Sequence, residues 1–187
     1  MSISSAGTRA MVGAPSCDIS LAMVGERERV ERSRQLSAEL LRNADLVITA
    51  ERSHVRDVLQ LAPELRGTCF TARSGARLAQ WVVAGGALEV AGRKAAGQHV
   101  VEDRQRLASL ALPLPASPAA RLRWLVAEMD AGRGHAFLEP GASDMPFNTD
   151  DIPDAHVVGY NFHRMGAELI TASMDAFAAA ATAVLSS

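Results

Sequence analysis

Two cysteines and five histidines are the side chains of this 187-residue chain best suited to hold a metal or attack an electrophile. The histidines are His54, His99, His135, His156 and His163, and none stands at helical ligand spacing from a suitable Glu or Cys. No zinc site is expected on that ground. His156 and His163 flank one turn-to-helix junction and read as surface or capping residues. Cys17 and Cys69 are too few for a disulfide framework and read as ordinary core or half-buried residues. No Walker-type loop, no Gly-x-Gly-x-x-Gly turn and no nucleophile-elbow serine occurs. The arginine clusters lack interleaved aromatics, so nucleic acid is not an expected partner.

The bulk composition agrees with a soluble globular protein. Apolar residues make up 48%, charged residues 21%, and the net charge is −2. No global field recruits nucleic acid or an anionic membrane. The N-terminus has no basic stretch followed by an apolar one and does not read as a signal peptide. The longest apolar run, Ala176 to Leu185, is too short to span a bilayer. A reducing cytoplasm is the expected compartment.

The elements that must position any site follow from periodicity. Ile3 to Thr8 reads as a short strand running into a Gly turn, and Gly13-Ala14-Pro15-Ser16 as a loop. Asp18 to Val24 reads as a short helix. Glu26 to Arg34 alternates acid and base and reads as a solvated helix face or connection. Ser37 caps a helix through Leu41. Leu46-Val47-Ile48 is a compact apolar run of the kind a buried parallel strand needs. Val55, Val58, Leu59 and Ala62 recur at three and four, giving an amphipathic helix that Pro63 closes. Thr68 to Thr71 is a further strand. Such alternation implies an open parallel sheet with helices on both faces, with sites at the carboxyl ends of its strands. From Arg73 to Gly141 the character changes to a helical insertion. Arg77 to Val83 is helical and stops at Gly85-Gly86. Leu88 to Leu112 carries one or two helices, and Ser117-Pro118 opens another that ends at Gly132. Glu139 to Asp150 is a loop, and Met165 to Leu185 a long final helix. One domain, residues 1–187, is expected.

Four segments then arrive in a telling order: Ser4-Ser5-Ala6-Gly7-Thr8, Ser33-Arg34-Gln35-Leu36, Ala44-Asp45-Leu46-Val47-Ile48-Thr49 and Asp150-Asp151-Ile152-Pro153-Asp154. In that order the chain resembles the low-molecular-weight protein-tyrosine phosphatases of actinobacterial type, over roughly Ile3–Thr71 and Asp150–Val184. The resemblance implies their three-layer, Rossmann-like fold. It also implies metal-free and cofactor-free hydrolysis of phosphotyrosine in proteins. In that family a loop of Cys, five residues and Arg cradles the phosphate with its backbone N–H groups, while the Arg clamps two oxygens. The thiolate attacks phosphorus, and a separate Asp protonates the leaving group.

Carried onto this chain, the resemblance makes Asp154 the counterpart of the general acid, followed by Ala155 where the family has Pro. Ser5 is the serine that helps hold the phosphate loop, and Met11 and His156 fall at the site mouth. The nucleophile has no counterpart. Cys17 has Met23 where Arg is required, and Cys69 is followed by Arg73-Ser74, two residues short. Met1 falls where the phosphate loop would already have ended. The expectation is a fold incomplete at its N-terminus, inactive alone and prone to self-association through its open sheet. A binding or regulatory pseudo-phosphatase and an arsenate-handling relative on the same scaffold are the alternatives.

Overall fold

The computed structural model describes residues 2–24, 32–85, 114–134, 150–158 and 162–186. The helices expected within 88–112 and the loop over 139–149 lie outside the described residues. So does most of the Glu26–Arg34 connection. The described chain divides into two compact units, one of residues 1–72 and 150–171, the other of residues 73–149 and 172–187.

The first unit is α/β. Helix α1 (Asp18–Val24) and the single turn α2 (Ala38–Leu41) precede strand β1 (Val47–Thr49). Helix α3 (Arg52–Leu61) and a 3-10 turn over Pro63–Gly67 lead to strand β2 (Cys69–Thr71). The strands are parallel, with Val47 opposite Cys69, Ile48 opposite Phe70 and Thr49 opposite Thr71. Two parallel strands joined through a helix form a βαβ unit, the expected parallel α/β architecture. Ser37 caps α2 by accepting from the Leu40 N–H. The apolar stripe of α3 turns Val58 inward to a core of Leu41, Ala62, Leu65 and Cys69, with Leu36, Val47, Val55 and Leu59 packed against it. Burying one such aliphatic side chain contributes about 1.5–3 kcal/mol.

The expected strand over Ile3–Thr8 does not form. The segment meets its neighbour through one parallel bridge, Gly7 to Gln35, and Ile3 is 83% exposed. A strand is stabilised by a ladder and by burial of alternate side chains, and this segment has neither. A strap of residues 33–35 holds it instead. The Gly7 N–H donates to the Arg34 carbonyl at 3.0 Å and the Leu36 N–H to the Gly7 carbonyl at 2.8 Å. Gln35 uses both ends of its amide, donating to the Thr8 carbonyl and accepting from the Ala10 N–H. Arg34 donates to the Ser5 carbonyl, and the Ser33 hydroxyl to the Met11 carbonyl. The turn at Met11–Ala14 closes through Gly13, whose φ of 81° is the left-handed conformation that glycine adopts without strain.

The second unit contains α4 (Ala72–Val83), α5 (Pro118–Ala131) and the C-terminal part of α7 (Phe162–Ser186), which follows the short α6 (Ala155–Val158). Helix α4 begins five residues earlier than the periodicity suggests, because Ala72 and Ala76 continue the buried stripe of Ala79 and Val82 backwards. Ser117 caps α5 by accepting from the Ala120 N–H, with Pro118 in the first turn as expected. After α5, Gly132 lies so near Trp81 that an added Cβ would sit 2.6 Å from the ring. Arg121 donates to the carbonyls of Val184 and Leu185, two of the last acceptors of α7.

The unbroken apolar run Ala176–Leu185 is short, but the helix that carries it is not. Helix α7 has 25 residues and is long and apolar enough to cross a membrane by length and composition. Its Ala, Gly and Met residues bracket scattered charges, so the helix extends well beyond the unbroken run at Ala176–Leu185. Core helices meet the same test but are mostly buried; in α7 His163, Ser173, Ala180 and Val184 are buried, and only 17% of its apolar window is.

Candidate functional site

Beyond β1 the chain turns through Ala50 and Glu51 into α3, whose first N–H groups have no partner within the helix. The segment Asp150–Pro153 docks there. The Asp151 carboxylate accepts from the Arg52 N–H at 2.8 Å and lies 3.4 Å from its guanidinium. The Ile152 N–H donates to the Ala50 carbonyl at 2.9 Å. The Ile152 side chain is 3% exposed, with a methyl near Gly166 of α7. The backbone after Ile152 is thus fixed to the carboxyl end of β1. In parallel α/β proteins that is where ligands bind.

A cleft of about 920 Å³ opens at this place, in the volume range of small-molecule sites. Ser4–Arg9 form one wall, Leu46–Glu51 another, and Pro153 and Asp154 also line it. No residue of β2 lines it, so it runs along the side of β1 turned away from β2. Leu36, Leu40, Leu41 and Val58 give its floor an apolar character. The charged side chains on its lining are Arg9, Arg56, Glu51, Asp57 and Asp154. Acids outnumber arginines, so the lining alone does not favour a phosphate dianion.

The structure brings Ser5 and Asp154 to this one cleft and leaves Met11 and His156 off its lining. Met11 is 79% exposed in the Gly13 turn. Asp154 is exposed, and its Oδ1 accepts from the His156 N–H at 2.9 Å, capping the first turn of α6. Cys69 is 1% exposed within β2, and Arg73 and Ser74 are already in α4. Hence the Cys69–Arg73 stretch makes no phosphate-binding loop.

Spacing alone missed a second arrangement. Cys17, immediately before α1, lies beside His156 of α6 and His163 of α7. One ligand atom from each lies within 4.8 Å of the others. Cys17 Sγ is 3.7 Å from His163 Nε2, and the two imidazoles meet edge to face at 4.9 Å between ring centres. The Ser20 N–H, pointing at the sulfur from the first turn of α1, holds the Cys17 thiol below its ordinary pKa. The Ile19 N–H, the Ser20 hydroxyl and His163 act in the same direction, while partial burial opposes them. Position 17 stands far from 156 and 163 along the chain, so no local motif could reveal this group.

The fold and cleft define a class: a parallel α/β protein with an open cleft at the carboxyl end of a strand. No family model and no solved structure matches the chain at a significant level. Two curated proteins do. The chain is 33% identical over 70 residues to the low molecular weight protein-tyrosine-phosphatase Wzb of Escherichia coli (strain K12), and equally to Wzb of Escherichia coli O157:H7. The match takes in 36% of this chain, and the chain spans 48%, about half, of the relatives' length. It is a distant, partial likeness to a phosphatase.

Proposed function

We propose that these residues belong to a cytoplasmic protein of low-molecular-weight tyrosine-phosphatase type. They would be the part that follows its phosphate loop, with residues 73–141 as a helical insertion. The cleft along β1 is the observation that carries this reading. It lies between Ser4–Arg9 and Leu46–Glu51, with an apolar floor suited to a strand, and has Asp154 at its carboxyl end. A central strand seated there would present its following loop to Ser5 and Asp154. Asp154 would then protonate the leaving phenolate of a phosphotyrosine protein substrate. The likeness to Wzb supports the same class.

The nucleophile would come from a Cys-x5-Arg loop outside these 187 residues. Alone, the chain should therefore turn over no aryl phosphate. Joined to a strand, loop and helix carrying that motif, it should hydrolyse p-nitrophenyl phosphate. Activity should vanish when the loop Cys is changed to Ser. Failure of a folded, joined protein to gain activity would refute the reading.

One observation favours a second reading, a binding or regulatory module without catalysis. Asp154 already serves as a helix cap, and Ala155 leaves its backbone freer than Pro would. A joined protein that binds vanadate yet does not turn over substrate would favour this reading.

A further inference from the structure

Cys17, His156 and His163 converge from three places in the chain: the residue before α1, the second residue of α6 and the second residue of α7. We propose that these three side chains form a zinc site with a fourth coordination position left to water or a small ligand. The proposal stands apart from the phosphatase reading, since none of the three lines the cleft.

The donor set carries the choice of metal. One thiolate and two imidazoles, with no carboxylate, suit a borderline-soft cation and not magnesium or calcium, which take oxygen ligands. Tetrahedral zinc with Zn–S near 2.3 Å and Zn–N near 2.05 Å places a sulfur and a nitrogen about 3.6 Å apart. The Cys17 Sγ to His163 Nε2 distance is 3.7 Å. No pair of ligand atoms exceeds 4.8 Å, and rotation of one ring can close what remains. His163 is 8% exposed and so is held by its surroundings, whereas His156 is exposed. A buried inner ligand paired with an exposed outer one gives the ion a way in. On binding, the Cys17 S–H bond breaks, its proton passes to solvent and the sulfur pair bonds to zinc. Both imidazoles bind as neutral donors. Three protein ligands with one open position is the pattern of zinc sites that hold a water or substrate, not of closed four-ligand structural sites.

The test uses the whole 187-residue chain, stripped with EDTA and titrated with Zn²⁺ against a chromogenic chelator. One ion per chain is expected. Cys17→Ser, His156→Ala and His163→Ala should each weaken binding by about 100-fold or more, at or beyond the loss seen when only a ligand's supporting partner is removed. Cys69→Ala should retain it. With Co²⁺ as the probe, the wild-type chain should show a thiolate-to-cobalt charge-transfer band that Cys17→Ser lacks. If the buried His163 variant fails to fold, the exposed His156→Ala and Cys17→Ser still decide the matter. Zinc binding indifferent to either change, or no binding by the wild-type chain above that of a chain carrying both Cys17→Ser and His156→Ala, overturns the proposal.

Discussion

Two residues apart, Asp154 and His156 serve two unlike places. Asp154 faces an open cleft between the backbone of Ser4–Arg9 and strand β1, whose polar side chains are half-buried or exposed. His156 faces a tight group of side chains anchored by the buried His163. The contrast is between a site built by backbone and one built by side chains. The cleft takes its position from β1, α3 and the Ile152 anchor, and still lacks a group able to attack phosphorus. The cysteine–histidine group already has its donor atoms within 4.8 Å of one another.

The contrast breaks most sharply if the cleft is catalytic by itself. Purified chain should show no turnover of p-nitrophenyl phosphate, and turnover abolished by Cys17→Ser would join the two places into one. Next in size is Asp154. In a joined, active protein, Asp154→Ala should slow cleavage by about 10²–10⁴-fold, the usual worth of a positioned acid. The loss should be largest for leaving groups of high pKa. Wild-type rates for the variant would place the acid elsewhere.

A smaller effect concerns the scaffold. Asp151→Ala removes the carboxylate that accepts from the first N–H of α3. Stability should fall by about 0.5–2 kcal/mol in denaturant unfolding, as for a lost helix cap. The exposed Arg52 half of the contact contributes little of that. The smallest effect tests the other place. Because backbone N–H groups favour its thiolate, Cys17 of the metal-free chain should be alkylated with a pH midpoint below that of a free thiol. Stability contributed by this lowered pKa is present above the unfolded thiol's pKa and fades as pH falls through the folded one. A midpoint at or above the ordinary value would contradict the geometry at the start of α1.

Much of the scaffold is legible in the residues. Asp18–Val24, the Ser37 cap, the stripe Val55-Val58-Leu59-Ala62 and the Ser117-Pro118 start are local patterns, and the structure has each. The late acidic loop is legible too, though the task of Asp151 is not, since its partner lies 99 positions away. Ile3–Thr8 misleads because a strand's existence depends on a neighbour, which no window of residues contains. The cysteine–histidine group escapes for the same reason. Ligand spacing within a helix can be counted, but three residues gathered by tertiary packing cannot.

The strap of residues 33–35 implies an unusual spectroscopic signature for Ser5–Ala14. To circular dichroism this stretch is irregular coil. Yet the N–H groups of Gly7, Ala10, Gly13 and Ala14 each have an acceptor at 2.8–3.0 Å. Those amides should exchange with deuterium far more slowly than coil, in step with one another. Gln35→Ala, which removes a bond at each end of the side-chain amide, should release Ala10 first.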